Sequence, residues 1–132
     1  MIAVGIGCRR DSPAARIGAA VEEALAQAGL APGTVDALAV PAFKADEPGI
    51  VRAVEELGLP VKLVHRSELD AVQPLCATLS QAAEEATGLA AVSEAAALVA
   101  AGRNARLLLP RIARDGVTCA VARGDGARWS VG

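Results

Sequence analysis

The chain has 132 residues, the length of one domain, and at that size a core can form without disulfide or metal staples. Hydrophobic residues make up 53%, which excludes a disordered tail, while no apolar run approaches the ~20 residues of a membrane span. A net charge of −2 and an aromatic content of 2% leave neither a basic stripe nor a stacking platform, so nucleic acid is not an expected partner.

Three cysteines (Cys8, Cys76, Cys119) and the single histidine, His65, lie far apart and lack the spacing of zinc ligands. No metal site and no cofactor is expected, and free thiols fit a reducing compartment. Met1 to Ile6 is too short for a signal-peptide core and no basic region precedes it, so the expected location is the cytoplasm.

Taken in chain order, Ile2 to Ile6 predicts a buried strand. Ser12-Pro13 predicts an N-cap and first helical position, with Ile17, Val21, Ala24, Leu25 and Ala28 as the buried stripe and Gly29 as the stop. Val35 to Val40 is a second strand; Pro48 opens a helix carrying Ile50, Val51, Val54 and Leu57, which Gly58 ends. Val61 to Val64 is a third strand. Ser67-Glu68-Leu69-Asp70 starts a short helix that Pro74 interrupts, and Thr78-Leu79-Ser80-Gln81 caps another running to about Ala86. After an apolar link from Leu89 to Val92, Ser93-Glu94 caps an alanine-rich helix ending at Gly102. Leu107 to Ile112 and Val117 to Val121 form a hairpin around Asp115-Gly116, and Ala127 to Val131 is a candidate last edge strand. The pattern predicts an α/β fold: an open, mostly parallel sheet with helices on both faces and an antiparallel C-terminal hairpin, all one domain over residues 1–132.

In such sheets the site lies beyond the carboxyl ends of the parallel strands. The first strand delivers Gly5, Gly7, Cys8, Arg9, Arg10 and Ser12 to that rim; the second delivers Phe43, Lys44, Asp46 and Glu47; the third delivers His65, Arg66 and Ser67. The Ser93-Glu94 helix start joins them if it points the same way, and the hairpin brings Arg114, Val117 and Thr118. Gly5-x-Gly7 is the opening of a dinucleotide fingerprint, but Arg10 stands where its third glycine belongs and Pro41-Ala42 where its ribose acid belongs. Gly7 as a turn residue is the simpler account, and an anion bound by Arg9, Arg10 and the Ser12 helix start is a third. Cys8 is a nucleophile only if the arginines and helix N-terminus lower its pKa, and no base stands beside it; an inert thiol is favoured. The Lys44–Pro48 loop is either a solvated turn whose acids cap the next helix, or a ligand site with Lys44 as counter-ion oriented by Glu47. Ser93-Glu94 is most simply a cap, and Cys119 a core residue.

Four segments together carry a resemblance: GIGCRR (Gly5–Arg10), KADEPG (Lys44–Gly49), VSEAAALVAAG (Val92–Gly102) and GVTCAVA (Gly116–Ala122). In this order, over about Val4 to Ala122, they resemble the family of CobE and the CbiG C-terminal domain in cobalamin biosynthesis. CbiG proteins have extra N-terminal domains and hydrolyse cobalt-precorrin-5A, opening a lactone and releasing acetaldehyde; the length here resembles the stand-alone form. The family commonly shows lysine after the late-strand proline, whereas Arg111 follows Pro110 here, which removes a lysine-specific proton or Schiff-base role. The resemblance implies ligand-facing positions at Gly7, Cys8, Arg9, Lys44, Asp46, Glu47, Ser93, Glu94 and Thr118. It implies a tetrapyrrole ligand, a (cobalt-)precorrin edged with acetates and propionates, which Arg9, Arg10, Lys44, Arg66 and helix N-termini complement. The expected role is a helper or carrier in corrin-ring synthesis, with other pathway enzymes such as methyltransferases as partners and a homodimer as one option. The alternatives are a hydrolase of the same intermediates with Glu47 or His65 as base, and a nucleotide-binding α/β domain.

Overall fold

A computed structural model of the chain describes residues 1–72 and 92–126. The expected helix at 78–86, the edge strand at 127–131, Pro74 and Cys76 lie outside the described residues. In chain order the elements are β1 (Ile2–Cys8), α1 (Ala14–Ala28), β2 (Ala37–Pro41), α2 (Pro48–Leu57), β3 (Val61–Val64), α3 (Arg66–Val72), α4 (Val92–Ala101), β4 (Arg106–Arg114) and β5 (Val117–Arg123). Short 3-10 turns at Pro32–Thr34 and Ala42–Lys44 flank β2. No helix among the described residues is long and apolar enough to cross a membrane.

The five strands form one sheet in the order β3-β2-β1-β5-β4. β1, β2 and β3 are parallel, β5 is antiparallel to β1, and β4 is antiparallel to β5. This is the expected α/β architecture, with the hairpin closing one side. Because successive parallel strands step in the same direction, right-handed crossovers place α1 and α2 on the same face. Their apolar stripe (Ile17, Val21, Leu25, Ile50, Ala53) packs on Val4, Ile6, Leu38, Val40, Cys119 and Val121. Residues one step out of phase along the strands, Ala3, Ala39, Val64 and Ala122, face α3 and α4 instead.

The second face is built from small residues, and that sets the position of α4. Nine of its ten residues, Ser93 to Ala101, are buried. A Cβ built on Gly5 would collide with the Ser93 carbonyl oxygen and stand 2.8 Å from Ala97 N. The helix backbone therefore lies directly on β1. At its other end Gly102 (φ 91°) bridges Gly126, whose near neighbour Gly124 donates its N–H to Met1 O at 3.0 Å, so α4 runs antiparallel to β1. Its N-terminus points toward the carboxyl ends of the parallel strands.

Glycine stops occur where the sequence predicts them: Gly29 and Gly58 adopt left-handed conformations with φ of 71° and 65°. At the hairpin both Asp115 (φ 50°) and Gly116 (φ 83°) are left-handed, as a two-residue primed turn requires. Several caps differ from expectation. Pro13, in an extended conformation, is the N-cap of α1, because the Ser12 hydroxyl donates to Arg9 O at 2.8 Å and closes the preceding turn instead. α3 starts at Arg66, one residue before the expected Ser67, because the Glu68 carboxylate reaches back to His65 N at 3.0 Å. Ser93 is inside the first turn of α4 rather than its cap, with its hydroxyl buried and without a hydrogen-bond partner. β2 begins at Ala37, not Val35, because Asp36 is occupied with Ile2: its carboxylate accepts from Ile2 N and its own N–H donates to Ile2 O, both at 2.8 Å.

Candidate functional site

The loops at the carboxyl ends of β1, β2 and β3 and the β4–β5 hairpin are joined side by side. Arg9 N donates to Gly116 O at 3.2 Å, tying the β1 loop to the hairpin. Asp11 N donates to Glu47 Oε2 at 3.1 Å, tying the β1 loop to the β2 loop. The Arg66 guanidinium lies 5.8 Å from the centroid of the Phe43 ring, linking the β3 end to the β2 loop. Arg9, Arg10, Ser12, Lys44, Asp46, Glu47, His65 and Arg66 thus share one margin of the sheet.

Charge at this margin is uneven. Among the described residues Arg9, Arg10, Lys44 and Arg66 make no ion pair, whereas Arg114 nearby is engaged with Glu23 (3.9 Å) and Asp115 (4.0 Å). Lys44 and Glu47 are half-buried; Arg9, Arg10, Asp46, His65 and Arg66 are exposed. Glu47 binds the β1 loop through Asp11 N; no ion pair to Lys44 forms, so the acid does not orient that ammonium.

Cys8, half-buried at the end of β1, has its thiol pKa raised. Desolvation is the dominant cause; Lys44 opposes it, Glu47 adds to it, and the Ser12 hydrogen bond opposes it. The thiol is therefore protonated at neutral pH, the inert state rather than the nucleophilic one. Cys119, wholly buried in β5, is pushed up to about 12 by burial and, less, by Cys8.

The strand glycines serve packing. Gly5 makes room for α4, and a Cβ on Gly7 would stand 2.7 Å from Thr118 Oγ1. Gly7 is paired in the strand opposite Thr118, whose hydroxyl donates to Gly7 O at 3.4 Å. It is not a turn residue; the left-handed residue of that loop is Asp11 (φ 63°). Glu94 is buried, and its Oε2 accepts from Arg111 N at 2.9 Å. Arg111 lies in an irregular stretch between Leu109 and Ile112 where β4 slips against β5, so the carboxylate satisfies an amide that the ladder leaves over. Ser93 and Glu94 stand behind the margin, on the α4 face, and not on its open side.

Three contributors were not singled out from sequence. Asp11 supplies the turn and the amide held by Glu47. Gly49 allows α2 to abut the Ser12 carbonyl, where any Cβ would collide. Arg52 joins Asp11, Ser12, Pro13, Ala14, Pro48 and Gly49 around a depression of about 290 Å³ between the starts of α1 and α2. A glycine directly after the helix-opening Pro48 was the available signal.

Such a margin, on a sheet whose chain leaves β1 to either side, is where α/β proteins of this topology place their sites, and here it sets Arg9, Arg10, Lys44 and Arg66 beside Asp11, Asp46 and Glu47. Residues 2–122 match the family described as cobalamin synthesis G C-terminus, and the chain belongs to that family. It is similar to Protein CobE from Sinorhizobium sp, 36% identical over 121 residues, which cover 92% of this chain and 79% of that protein. The crystal structure of CobE, a protein from the cobalamin (vitamin B12) biosynthetic pathway, superposes with a TM-score of 0.87 at 34% identity, covering 97% of this chain and 93% of that one. That of cobalamin biosynthesis protein chiG from Agrobacterium tumefaciens str. C58 does so with a TM-score of 0.75 at 42% identity, covering 95% and 99%. The chain is a cobalamin biosynthesis protein of the CobE and CbiG C-terminal family.

Proposed function

We propose that this protein binds a polycarboxylate (cobalt-)precorrin at the carboxyl-end margin and serves corrin-ring synthesis as a carrier or accessory domain. The observation that carries the reading is the set of uncompensated cations, Arg9, Arg10, Lys44 and Arg66, on loops joined into one edge. A corrin precursor is a flat apolar ring fringed with acetates and propionates. Charge-assisted hydrogen bonds from guanidinium and ammonium groups match that fringe and orient the ring. A hydrogen bond to a charged group contributes about 1.5–3 kcal/mol when desolvated, and exposure of the arginines puts each toward the low end.

Titration of the protein with hydrogenobyrinic acid, followed by the corrinoid visible spectrum, tests this. Micromolar binding is expected, weakened roughly tenfold by Lys44→Ala or Arg9→Ala and weakened further by salt. No binding at high micromolar protein, or binding indifferent to both variants and to salt, overturns it. A hydrolytic reading is favoured by one feature, the Glu47 carboxylate fixed by Asp11 N beside Cys8 and Lys44. Turnover of a lactone-bearing precorrin that disappears in Glu47→Gln would replace the carrier with an enzyme; binding without turnover removes that reading.

A further inference from the structure

The two edges of the sheet are built differently. β4 carries Pro110, three arginines (Arg106, Arg111, Arg114) and two register irregularities, features that obstruct the addition of another strand. β3 carries none of these. It pairs with β2 in unbroken register from Leu38↔Val61 to Pro41↔Val64. Its one charged residue, Lys62, lies on the α3 side, with its ammonium 3.7 Å from Glu68 Oε2.

The ladder fixes which groups point outward. Leu38 N donates to Pro60 O at 2.8 Å, so in a parallel pair Pro60, Lys62 and Val64 turn their backbone groups toward β2. Val61 and Leu63 turn theirs to the open edge. Their side chains are 39% and 43% exposed, on the face that carries α2. Val51 is 45% exposed and lies about 200° around α2 from Gly49, the residue that abuts α1. It is therefore on the flank toward β3. Among the described residues, amides without a backbone partner and an apolar strip coincide on this edge.

We propose that this edge pairs with a second copy of the same chain, β3 against β3 and antiparallel, about a two-fold axis perpendicular to the sheet. Charge selects this occupant. The carboxyl end of β3 presents Arg66 and His65, both exposed, and its amino end adjoins the last turns of α2, where Glu55 and the helix's negative pole stand. Antiparallel self-pairing sets each cationic end against the other copy's acidic end. Keeping the two α2 faces continuous requires same-phase pairing. Val61 then stands opposite Leu63 of the second copy, twice, each pair exchanging N–H···O=C bonds. Lys62 meets Lys62 of the second copy across the axis, each held by its own Glu68. The two margins of the proposed ligand site point in opposite directions, and Arg66 is the residue that this interface shares with that site.

Sedimentation velocity of the full chain without corrinoid, from micromolar to millimolar concentration, tests the interface. A concentration-dependent dimer is expected. Leu63→Lys should shift it to monomer with an unchanged circular dichroism spectrum. Val61→Pro, which removes an outward N–H that β2 does not use, should do the same. Leu108→Lys, on the guarded β4 edge, should leave the dimer intact. A monomer throughout, a dimer that survives both β3 variants, or one lost in Leu108→Lys overturns the proposal.

Discussion

Gly5→Ala isolates the contact that places α4. The added methyl would stand 2.8 Å from Ala97 N and 2.9 Å from Ser93 C, and inside contact distance of Ser93 O. All three are backbone atoms, so no rotamer change relieves the clash, and α4 is covered along nearly its whole length. Overpacking of a core costs about 1–3 kcal/mol, and a clash against backbone belongs at the upper end. The entropy that alanine removes from the unfolded chain returns roughly 0.4–1 kcal/mol, for a net loss of about 2–3 kcal/mol. At roughly 4 °C per kcal/mol for a domain of this size, the melting temperature should fall by about 8–12 °C. Urea denaturation and thermal melts read both quantities. Gly18→Ala is the control: it lies inside α1 with nothing within 4 Å of the new methyl, and should stabilise by about 0.5–1 kcal/mol. A Gly5→Ala protein within about 0.5 kcal/mol of wild type that has lost ligand binding would refute the packing account and revive Gly5 as a ligand-approach residue.

Two further outcomes follow from buried groups. Cys119 ionises near 9.0 when unfolded and at about 12 when folded. Between these values the unfolded state gives up a proton that the folded state keeps. Stability should therefore fall as pH rises through that window, by roughly 1.4 kcal/mol per unit, with no contribution below it. Denaturant titrations of a Cys76→Ser protein with and without Cys119→Ala check this, because the slope difference between them should vanish if the thiol is not responsible. Glu94→Leu leaves Arg111 N without its acceptor and should cost about 1–3 kcal/mol. Glu94→Gln, which keeps an oxygen, should recover most of that in the same melts; equal losses in both would mean that the charge, not the hydrogen bond, matters.

The alternation of apolar runs with helix-period stretches was sufficient to place the elements, because each junction has its own local chemistry. Gly29 and Gly58 end helices, and Asp115-Gly116 turns the hairpin, through positive φ values that depend on nothing distant. The cationic margin was legible for a related reason. Parallel strands deliver whatever follows them to one side of the sheet, so Arg9, Lys44 and Arg66 could be placed together before any contact was known. Ser12, Ser93 and Glu94 were not legible, since a hydroxyl or carboxylate near a helix start has several partners in reach. Here Arg9 O and Arg111 N take two of them, while the third stays unpartnered.

Glycine shows most clearly where local reading stops. At a helix end it is needed for its conformation, which the chain itself specifies. At Gly5, Gly7 and Gly49 the φ values are ordinary, and glycine is needed because Ser93, Thr118 and Ser12 come too close for a Cβ. Those neighbours are 88, 111 and 37 residues away in sequence, beyond any local pattern. One trace of the pairing is nonetheless written in the chain. A strand with glycine and alanine on one face can serve only a helix whose facing residues are equally small. Val92–Ala101, with five alanines in ten residues, is the described helix that meets that condition. Matching small-residue faces between strand and helix assigns α4 to β1, and with it Gly5 to packing.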